Sequence, residues 1–311
     1  MNRKELLKHI GSVEQVGGIT DFTINDGKGK GVRVLEINTG VVRFRVLPDR
    51  CMDIAQAFYK DGAFAWISKT GITAPQYYDR SGKEWLRGFY GGLLTTCGFK
   101  NLGKPTDTEG LHGRLANIPA SKVSVYADWE GDDYIMRVSG EMRECIVFGE
   151  NLVLKRTITA KLFDNSLTVE DTVLNEGFNE QRTSICYHCN FGYPLVDAES
   201  IITNVPAEVS TMLPPTHNLP EECVGVELDG DVQTVGIENK KIGLGAYITY
   251  GREYLKDFLI WKMFGESEYV IGLEPRTTNL QGFEMVEKDA FVKLQPFESY
   301  TNKLTFTIKE L

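Results

Sequence analysis

The stretch Thr183-Ser-Ile-Cys-Tyr-His-Cys-Asn-Phe-Gly-Tyr-Pro-Leu195 alternates in character as a β-strand does. Because successive side chains of a strand point to opposite faces, the two faces can be read separately. One face carries the apolar or aromatic residues Ile185, Tyr187 and Phe191, which is typical of a core. The other face carries Ser184, Cys186, His188 and Asn190. Two small residues beside a histidine and an asparagine predict a strand that lines a ligand cavity, although small residues also suit a packed core.

Strand-like segments continue on both sides of this stretch. Upstream, residues 152–162 and 167–174 are rich in β-branched and apolar residues, and Asp164 and Asn165 between them tolerate the left-handed backbone of a tight turn. Two long antiparallel strands that lead into a third predict a large sheet or sandwich. Similar segments occur at residues 31–37, 40–47, 120–127, 134–142, 185–193, 232–237, 243–250, 258–263, 269–273, 290–294 and 300–308.

The organisation expected of the chain is one all-β domain over residues 1–311. All-β folds of this length are often single domains, and neither a linker nor a repeat of fixed length divides the sequence. Residues 1–15 are expected to form an N-terminal helical extension. Within it, residues 3–10 predict a short amphipathic helix that ends at Gly11.

Composition limits the class of partner. The chain has 43 acidic and 34 basic residues and a net charge of -9, without a cluster of Lys and Arg. This charge disfavours nucleic acids and anionic membrane surfaces, whereas a small neutral or cationic ligand is easier to accommodate. The N-terminus lacks the apolar core of a signal peptide, and no later run approaches about 18 apolar residues, so we expect a cytoplasmic protein. The six cysteines are expected to be reduced thiols.

Four histidines narrow the search for catalytic groups. His9 lies in the predicted helix and His217 in a proline-rich loop, so both are expected at the surface. His112 has a glycine immediately after it, at 113, and another at 110, which lets the backbone bend closely around a ligand. His188 shares its strand face with small residues. These two are therefore candidate functional residues, with a hydrogen-bonded core histidine as the alternative.

Glu274 is a third candidate, in the segment Tyr269-Val-Ile-Gly-Leu-Glu-Pro-Arg. The carboxylate follows an almost wholly apolar strand that Pro275 is expected to end. Burial would raise the pKa of this carboxyl group and make it a usable base near neutral pH. The alternative is a glutamate at a strand end that pairs with Arg276.

The cysteine and glycine motifs of the chain have simpler interpretations than a phosphate, nucleophile or metal site. Gly91-Gly-Leu-Leu-Thr-Thr-Cys-Gly lacks the Gly-Lys-Ser/Thr ending of a phosphate loop and is interpreted as a strand and loop that wall a cleft. Cys97 within it is expected to be a buried thiol rather than a nucleophile. A zinc site at Cys186, His188 and Cys189 is disfavoured, because Cys189 points to the opposite face of the strand.

Candidate ligand contacts complete the set of site residues. The side chains expected to contact ligand hydroxyls or an acidic substituent are Arg50, Arg114, Asn190 and Lys262. Three tryptophans could stack on a sugar ring or belong to the core, namely Trp66, Trp85 and Trp261.

Taken in order, these motifs resemble the galactose mutarotase-like superfamily, which includes the aldose 1-epimerases. Its strand pair with Asp-Asn-x-Leu-x-Val corresponds to Phe163-Asp-Asn-Ser-Leu-Thr-Val, and its second histidine motif to Tyr187-His-Cys-Asn-Phe-Gly-Tyr-Pro-Leu. Its upstream histidine corresponds to Leu111-His-Gly and its glutamate to Leu273-Glu-Pro. The resemblance covers residues 16–308 and implies a large antiparallel β-sandwich.

The sequence departs from the superfamily pattern in two places. Tyr187 stands where an asparagine often precedes the second histidine, and Asn190-Phe191 reverses the usual Phe-Asn order. A sugar-contacting aspartate of the superfamily has no assigned counterpart here. The segments Leu47-Pro-Asp-Arg-Cys-Met-Asp-Ile and Gly91-Gly-Leu-Leu-Thr-Thr-Cys-Gly are similar to an uncharacterised bacterial branch whose sugars are undefined.

The resemblance implies an isomerase that interconverts the α and β anomers of a sugar. Glu274 would be the base, His188 the acid, and His112 would stabilise charge or share the acid role. This scheme requires neither a cofactor nor a metal. One alternative is a non-catalytic sugar-binding protein on the same fold. Another is a glycoside hydrolase or lyase, which needs a second acid such as Asp53, Asp257 or Glu284.

Overall fold

The computed structural model describes residues 2–60, 62–278 and 291–311. The strands in these residues are β1 (Gly18–Thr23), β2 (Arg33–Asn38), β3 (Val42–Leu47), β4 (Asp53–Tyr59), β5 (Gly62–Ala63), β6 (Thr95–Phe99), β7 (Ser121–Glu130), β8 (Asp133–Cys145), β9 (Asn151–Lys161), β10 (Ser166–Asn175), β11 (Gln181–Gly192), β12 (Ile201–Thr203), β13 (Glu222–Gly225), β14 (Val232–Asn239), β15 (Leu244–Gly251), β16 (Asp257–Gly265), β17 (Glu268–Arg276), β18 (Val292–Leu294) and β19 (Ser299–Glu310). The α-helix α1 spans Arg3–Leu6, and 3-10 helices span Val13–Gln15, Gly27–Gly29, Pro75–Tyr77, Glu84–Gly88, Leu115–Asn117 and Ala207–Val209.

The strands of the described residues form three antiparallel sheets. The eight-stranded sheet has the order β12-β14-β15-β19-β10-β9-β8-β7, and the six-stranded sheet has β13-β16-β17-β11-β18, with β6 also paired to β11. The third sheet runs from β1 to β5 in order. Side chains of the two larger sheets meet in the interior, where the hydroxyl of Tyr187 in β11 donates to Asp171 Oδ2 in β10 at 2.9 Å. The predicted all-β sandwich is confirmed.

The stretch that began the sequence analysis is the central strand β11. Ile185, Tyr187 and Phe191 are fully buried in the main hydrophobic core, which also contains residues of the other two sheets. The core face predicted from the strand period is therefore confirmed. Burial of these side chains, each worth about 1.5–3 kcal/mol for an aliphatic or phenyl group, holds β11 in its register.

The predicted hairpin is formed by β9 and β10, with Ala160 opposite Leu167. Its turn differs from the prediction in one detail. The residue with left-handed backbone is Phe163, at φ 63°, rather than Asp164 or Asn165. The Asp164 carboxylate instead accepts the backbone N–H of residue 166 at 3.1 Å, and Asn165 Nδ2 donates to a backbone carbonyl of β19 at 2.6 Å. Both polar side chains thus stabilise the turn through hydrogen bonds.

Several element boundaries differ from the sequence-based expectations. The N-terminal helix ends at Leu6 instead of residue 10, because the next residues turn with 3-10 hydrogen bonds ahead of Gly11. Strands β1, β4, β5, β12 and β13 were not predicted. β4 contains Asp53 and Gln56, which obscure the apolar pattern of a buried strand. Ala290 in the predicted segment 290–294 lies outside the described residues, and β18 begins at Val292.

A buried ion-pair network lies behind β11. Arg156 of β9 contacts Asp171 through Nη2 and Asp53 through Nη1, both at 2.6 Å, and all three side chains are shielded from solvent. Thr96 of β6 donates to Asp53 Oδ1 at 2.6 Å. Tyr187 binds the same Asp171 carboxylate. Since Thr96 and Tyr187 are cross-strand partners in β6 and β11, the network ties both strands to the opposite sheet.

No helix in the described residues has the length and apolar character required to cross a bilayer.

Candidate functional site

The candidate site lies on the polar face of β11, called the His188 face below. In β11 and β17, Asn190 pairs with Gly272. Two residues further along, the same register brings His188 across from Glu274. His188 Nε2 lies 3.2 Å from Glu274 Oε1, and both side chains are almost completely buried. The fold therefore brings together two of the three catalytic residues predicted from the sequence.

Pro275 shapes this part of the sheet. The prediction that it ends the strand is wrong, because β17 continues to Arg276, which pairs with Cys186 of β11 and Asp257 of β16. Proline has no N–H to donate to a neighbouring strand, and the regular pairing of β11 with β17 is interrupted beside it. The interruption falls where Glu274 faces His188.

Small residues make room for the Glu274 carboxylate. A Cβ added to Gly272 would lie 3.0 Å from Glu274 Oε1 and 3.1 Å from the Cβ of Trp261, so the carboxylate occupies the space that a side chain would need. The Cys186 thiol lies 3.4 Å from Glu274 Oε2 and donates to it. Each carboxylate oxygen thus has one identified neighbour, and the carboxylate is held against the sheet.

His112 reaches the site from the loop between β6 and the 3-10 helix that begins at residue 115. Its backbone is left-handed, at φ 58°, and its carbonyl accepts the N–H of Gly98 at 3.1 Å. Its Nδ1 accepts the N–H of Gly103 at 3.3 Å, which places the ring proton on Nε2. The His112 and His188 ring centroids are 5.8 Å apart. All three residues predicted to be catalytic therefore converge.

Aromatic side chains surround the two histidines. Phe89 lies 5.3 Å from the His188 ring and Trp261 lies 5.2 Å from it, while Trp85 lies 4.8 Å from the His112 ring. Trp66 packs 6.0 Å from Trp261. Trp66 and Trp261 are partly exposed and Phe89 and Trp85 are buried. The three tryptophans were predicted as stacking candidates. Phe89 was missed, since no pattern in the sequence links it to β11.

The cluster of His112, His188 and Glu274 is identified as a candidate site by its chemistry rather than by the size of a cavity. Two open hollows on the described surface, one around Trp129 and Asn165 and one around Ile72 and Tyr90, do not contain the histidines. The His188 face is instead covered by the aromatic side chains.

Burial perturbs all three candidate catalytic groups. It raises the pKa of Glu274 to about 7, although the positive charge of Arg276 and the Cys186 thiol act in the opposite direction. Burial lowers the pKa of His188 to about 3, with a smaller contribution from nearby His112. Burial alone lowers the pKa of His112 to about 4. Separated pKa values of this kind are typical of acid/base sites.

Of the predicted ligand contacts, Asn190 lies on the His188 face. Its Nδ2 donates to the carbonyl of His188 at 2.9 Å, and within the described residues its buried Oδ1 has no hydrogen-bond partner. Lys262 lies next to Trp261 in β16 and therefore points to the opposite face of the sheet, where its Nζ donates to the carbonyl of Thr211 at 3.3 Å. The structure does not bring Lys262 to the site.

The two arginines are also held elsewhere. Arg50 is buried, and its guanidinium donates to the carbonyls of Ala116, Thr73 and Gly88. This geometry ties loops together and leaves Arg50 away from the His188 face. Arg114 follows the His112 loop, but it forms a bidentate ion pair with Glu109 at 2.8 and 3.0 Å.

Of the acids considered for a hydrolase, the two that lie in the described residues are each paired with an arginine. Asp53 belongs to the Arg156 network, and Asp257 pairs with Arg276 Nε. Glu284 lies outside the described residues. Cys97 is fully buried and burial raises the pKa of its thiol, which agrees with the buried-thiol interpretation.

Comparison with solved structures defines the class of protein. A putative aldose 1-epimerase from Klebsiella pneumoniae superposes with a TM-score of 0.87 at 22% identity, covering 99% of this chain and 86% of that chain. A galactose mutarotase-like protein from Clostridium acetobutylicum gives 0.67 at 15%, covering 96% and 100%. One from Lactobacillus casei gives 0.58 at 13%, covering 89% and 100%. The chain has the galactose mutarotase-like β-sandwich fold.

The family follows from the sequence itself. The chain belongs to the family described as Domain of unknown function (DUF4432), which matches residues 29–308. No curated protein matches the sequence significantly. The resemblance inferred from the motifs is thus confirmed at the level of the fold, and the family description leaves the reaction open.

Proposed function

We propose that this protein is an aldose 1-epimerase-like isomerase that interconverts the α and β anomers of a sugar or sugar derivative. The observation that supports this proposal most strongly is the 3.2 Å contact between His188 Nε2 and Glu274 Oε1 on a buried face, with His112 beside it. Anomer exchange needs a base and an acid that act on two oxygens bound to the same carbon. Adjacent groups with separated pKa values can supply both.

The proposed reaction opens and closes the sugar ring. The Glu274 carboxylate accepts the proton of the anomeric hydroxyl while protonated His188 donates a proton to the ring oxygen. The bond between the anomeric carbon and the ring oxygen breaks, and a carbonyl forms at the anomeric carbon. After rotation of the aldehyde, the former ring oxygen attacks the other face and returns its proton to His188. The Glu274 carboxyl group then protonates the new anomeric hydroxyl.

One proton shared by Glu274 and His188 satisfies this cycle. A doubly protonated pair has no base, and an unprotonated pair has no acid. In the free protein the shared proton resides on Glu274, since burial raises the pKa of that group to about 7 and lowers that of His188 to about 3. The proton reaches His188 Nε2 along the direct contact as the substrate hydroxyl approaches the carboxylate. Each well-placed group typically accelerates such a reaction about 100-fold to 10,000-fold.

The remaining residues fit binding roles. His112 keeps a proton on Nε2 because its Nδ1 accepts a backbone N–H, so it can donate a hydrogen bond to an oxygen that gains charge. The partly exposed rings of Trp66 and Trp261 suit a sugar ring, which presents C–H groups to aromatic faces. Asn190 is proposed to bind a sugar hydroxyl through Oδ1. Arg50, Arg114 and Lys262, by contrast, receive no support from the geometry.

The proposal extends to the whole chain. Residues 1–311 are proposed to act as one carbohydrate-binding domain whose partner is a small-molecule sugar. The cytoplasmic location and the place of this protein in carbohydrate metabolism stay predictions from the sequence and the fold. The proposed cycle uses the chain's own acid and base groups.

The test is NMR exchange or polarimetry on a panel of freshly dissolved sugars. On any sugar that the parent accelerates, Glu274→Gln and His188→Ala should each lower the rate by roughly 100-fold or more. Glu144→Gln is the matched control. Glu144 is also a buried glutamate whose pKa is raised by burial to about 7, but its carboxylate accepts the N–H of Phe99 and, within the described residues, has no hydrogen bond to a histidine. Full activity in both site variants would refute the assignment.

The alternative functions give different results in the same experiments. A non-catalytic sugar-binding protein would saturate with sugar without accelerating exchange. A glycoside hydrolase or lyase would release a reducing end or an unsaturated product from oligosaccharides. Asp53 and Asp257, two acids considered for a hydrolase, are each held in an ion pair with an arginine, which favours the isomerase over the hydrolase.

A further inference from the structure

A buried ion pair lies beside Glu274 on the His188 face. Arg276 follows Glu274 by two residues in β17, so both side chains point to the same face. Only 2% of Arg276 is exposed, and its Nε lies 2.5 Å from Asp257 Oδ2. Within the described residues its Nη1 has no hydrogen-bond partner. The cross-strand partner of Arg276 on the other side is Cys186, whose thiol donates to Glu274.

The ion pair differs in exposure at its two ends. Arg276 is shielded from solvent, whereas 31% of the Asp257 side chain is exposed. Water therefore screens the charge of Asp257 more than that of Arg276. The net effect at the neighbouring carboxylate is a positive potential, and Arg276 is the strongest of the influences that favour ionised Glu274. A salt bridge with Arg276, expected as the alternative role for Glu274, is not formed, because the guanidinium turns to Asp257.

We propose that Arg276, oriented by Asp257, is a positioning residue that stabilises the ionised form of buried Glu274 when the shared proton passes to His188. This inference rests on the proposed function for the role of Glu274 but concerns a residue that the motif comparison did not assign. A carboxylate in a water-excluded site ionises only with difficulty unless a cation or hydrogen-bond donors favour the charged form. Cys186 supplies one weak donor, and Arg276 supplies the charge.

Several other titratable groups lie near Glu274 and could supply a charge that favours its ionised form. Those that face it from neighbouring elements are His188, Cys186, Cys97, Cys223, His112, Asp257 and Glu221. The two histidines are neutral near pH 7, since burial lowers the pKa of each to about 4 or below. The cysteines have raised pKa values and stay neutral as well. Within the described residues, Arg276 is thus the neighbour of Glu274 that carries a positive charge at pH 7.

The experiment measures the ionisation of Glu274 directly in the full chain. The protein is labelled with 13C at the glutamate side-chain carboxyl, and the signal lost in Glu274→Gln identifies the residue. Its chemical shift is then followed against pH in the parent, Arg276→Gln, Arg276→Lys and Asp257→Asn. We expect Arg276→Gln to raise the midpoint by about one pH unit or more, because an opposite charge nearby favours the ionised carboxylate.

The other two variants test whether the shift of the Glu274 midpoint follows the charge that is removed or kept. Arg276→Lys keeps the charge and should stay within about half a pH unit of the parent. Asp257→Asn removes a neighbouring negative charge and should lower the midpoint by roughly half a unit, the opposite direction to Arg276→Gln. A purely structural role would not produce shifts of opposite sign. If Arg276→Gln fails to fold, Arg276→Met, which also removes the charge but keeps a long side chain, takes its place with the same expected rise of the midpoint.

The inference and the proposed function fail in different ways. An unchanged midpoint in Arg276→Gln overturns the role of Arg276 whatever the activity. If no sugar is accelerated by the parent while the midpoints shift as expected, the proposed function fails and the electrostatic role of Arg276 stands. If both hold, the limb of the pH–rate profile that reports Glu274 should move with the NMR midpoint in each variant.

Discussion

Replacing Gly272 by alanine should slow anomer exchange without unfolding the protein. The new Cβ would lie 3.0 Å from Glu274 Oε1 and 3.1 Å from the Cβ of Trp261, both closer than the 3.4 Å at which ordinary contact begins. The Trp261 Cβ is fixed by the backbone of β16, whereas the carboxylate can rotate. We therefore expect the carboxylate to yield by a few tenths of an ångström. That movement disturbs its 3.2 Å contact with His188.

The expected magnitudes follow from the size of this displacement. A misplacement of about 1 Å can cost a rate factor of about 100, so a shift of about 0.3–0.5 Å should lower the rate about 3-fold to 10-fold. The effect on stability should be small. Overpacking costs about 1–3 kcal/mol, while loss of glycine flexibility in the unfolded chain returns about 0.4–1 kcal/mol. The unfolding free energy should therefore fall by about 0–2.6 kcal/mol.

The assay is NMR exchange between anomers of an accepted sugar, with urea unfolding measured on the same samples. Gly225→Ala is the matched control. Gly225 is a strand residue of the same sheet, and a Cβ there would meet nothing within 4 Å. Equal rates in both variants and the parent would refute the steric reasoning about the carboxylate. An equal loss in both variants would attribute the effect to glycine replacement in the sheet.

Three further results are expected. The kcat/KM of the parent should fall as the pH rises through about 7, where Glu274 loses the shared proton, and a pH–rate profile that rises there instead would contradict the one-proton scheme. Folding raises the pKa of Glu274 from 4.5 to about 7, so the protonated carboxyl group stabilises the folded protein at low pH and this stabilisation is lost as the pH rises from about 4.5 to about 7. In urea unfolding, the stability of Glu274→Gln relative to the parent should therefore increase by roughly 3 kcal/mol between pH 4 and pH 8. Asp171→Asn should lower the unfolding free energy by about 3–5 kcal/mol by leaving Arg156 incompletely paired, and a loss below about 1 kcal/mol would show that the buried network is dispensable.

The stability gain expected for Glu274→Gln measures what the buried carboxyl group costs the folded protein at neutral pH. A carboxyl group with a raised pKa destabilises the folded protein at neutral pH, because burial opposes its charge. The site nevertheless keeps a glutamate in an apolar, aromatic surrounding. Burial raises the pKa of Glu144 to about 7 as well, so the contact with His188, rather than the raised pKa alone, supports the proposed catalytic role of Glu274.

The candidate site was partly predictable because strand periodicity is local. Alternation in β11 separates the face of His188 from the face of Tyr187 without any knowledge of neighbours, and both assignments agree with the structure. Glu274 was recognisable as a polar residue after an apolar strand. By contrast, the face of Lys262 was obscured by apolar neighbours on both sides, and the structure turns it away from Glu274.

Sequence alone determined the fold class, the hairpin of β9 and β10, and the residue types of the proposed acid/base set, since each depends on short-range patterns. Tertiary structure decided which side chains meet. The contact between His188 and Glu274 depends on the register of β11 with β17, which joins residues 86 positions apart. The pairing of Arg276 with Asp257 and the covering of the site by Phe89 likewise depend on chain segments that no local pattern links. Register and burial are properties of the assembled sheets, so the pKa shifts that suit these residues to the proposed acid and base roles arise only on folding.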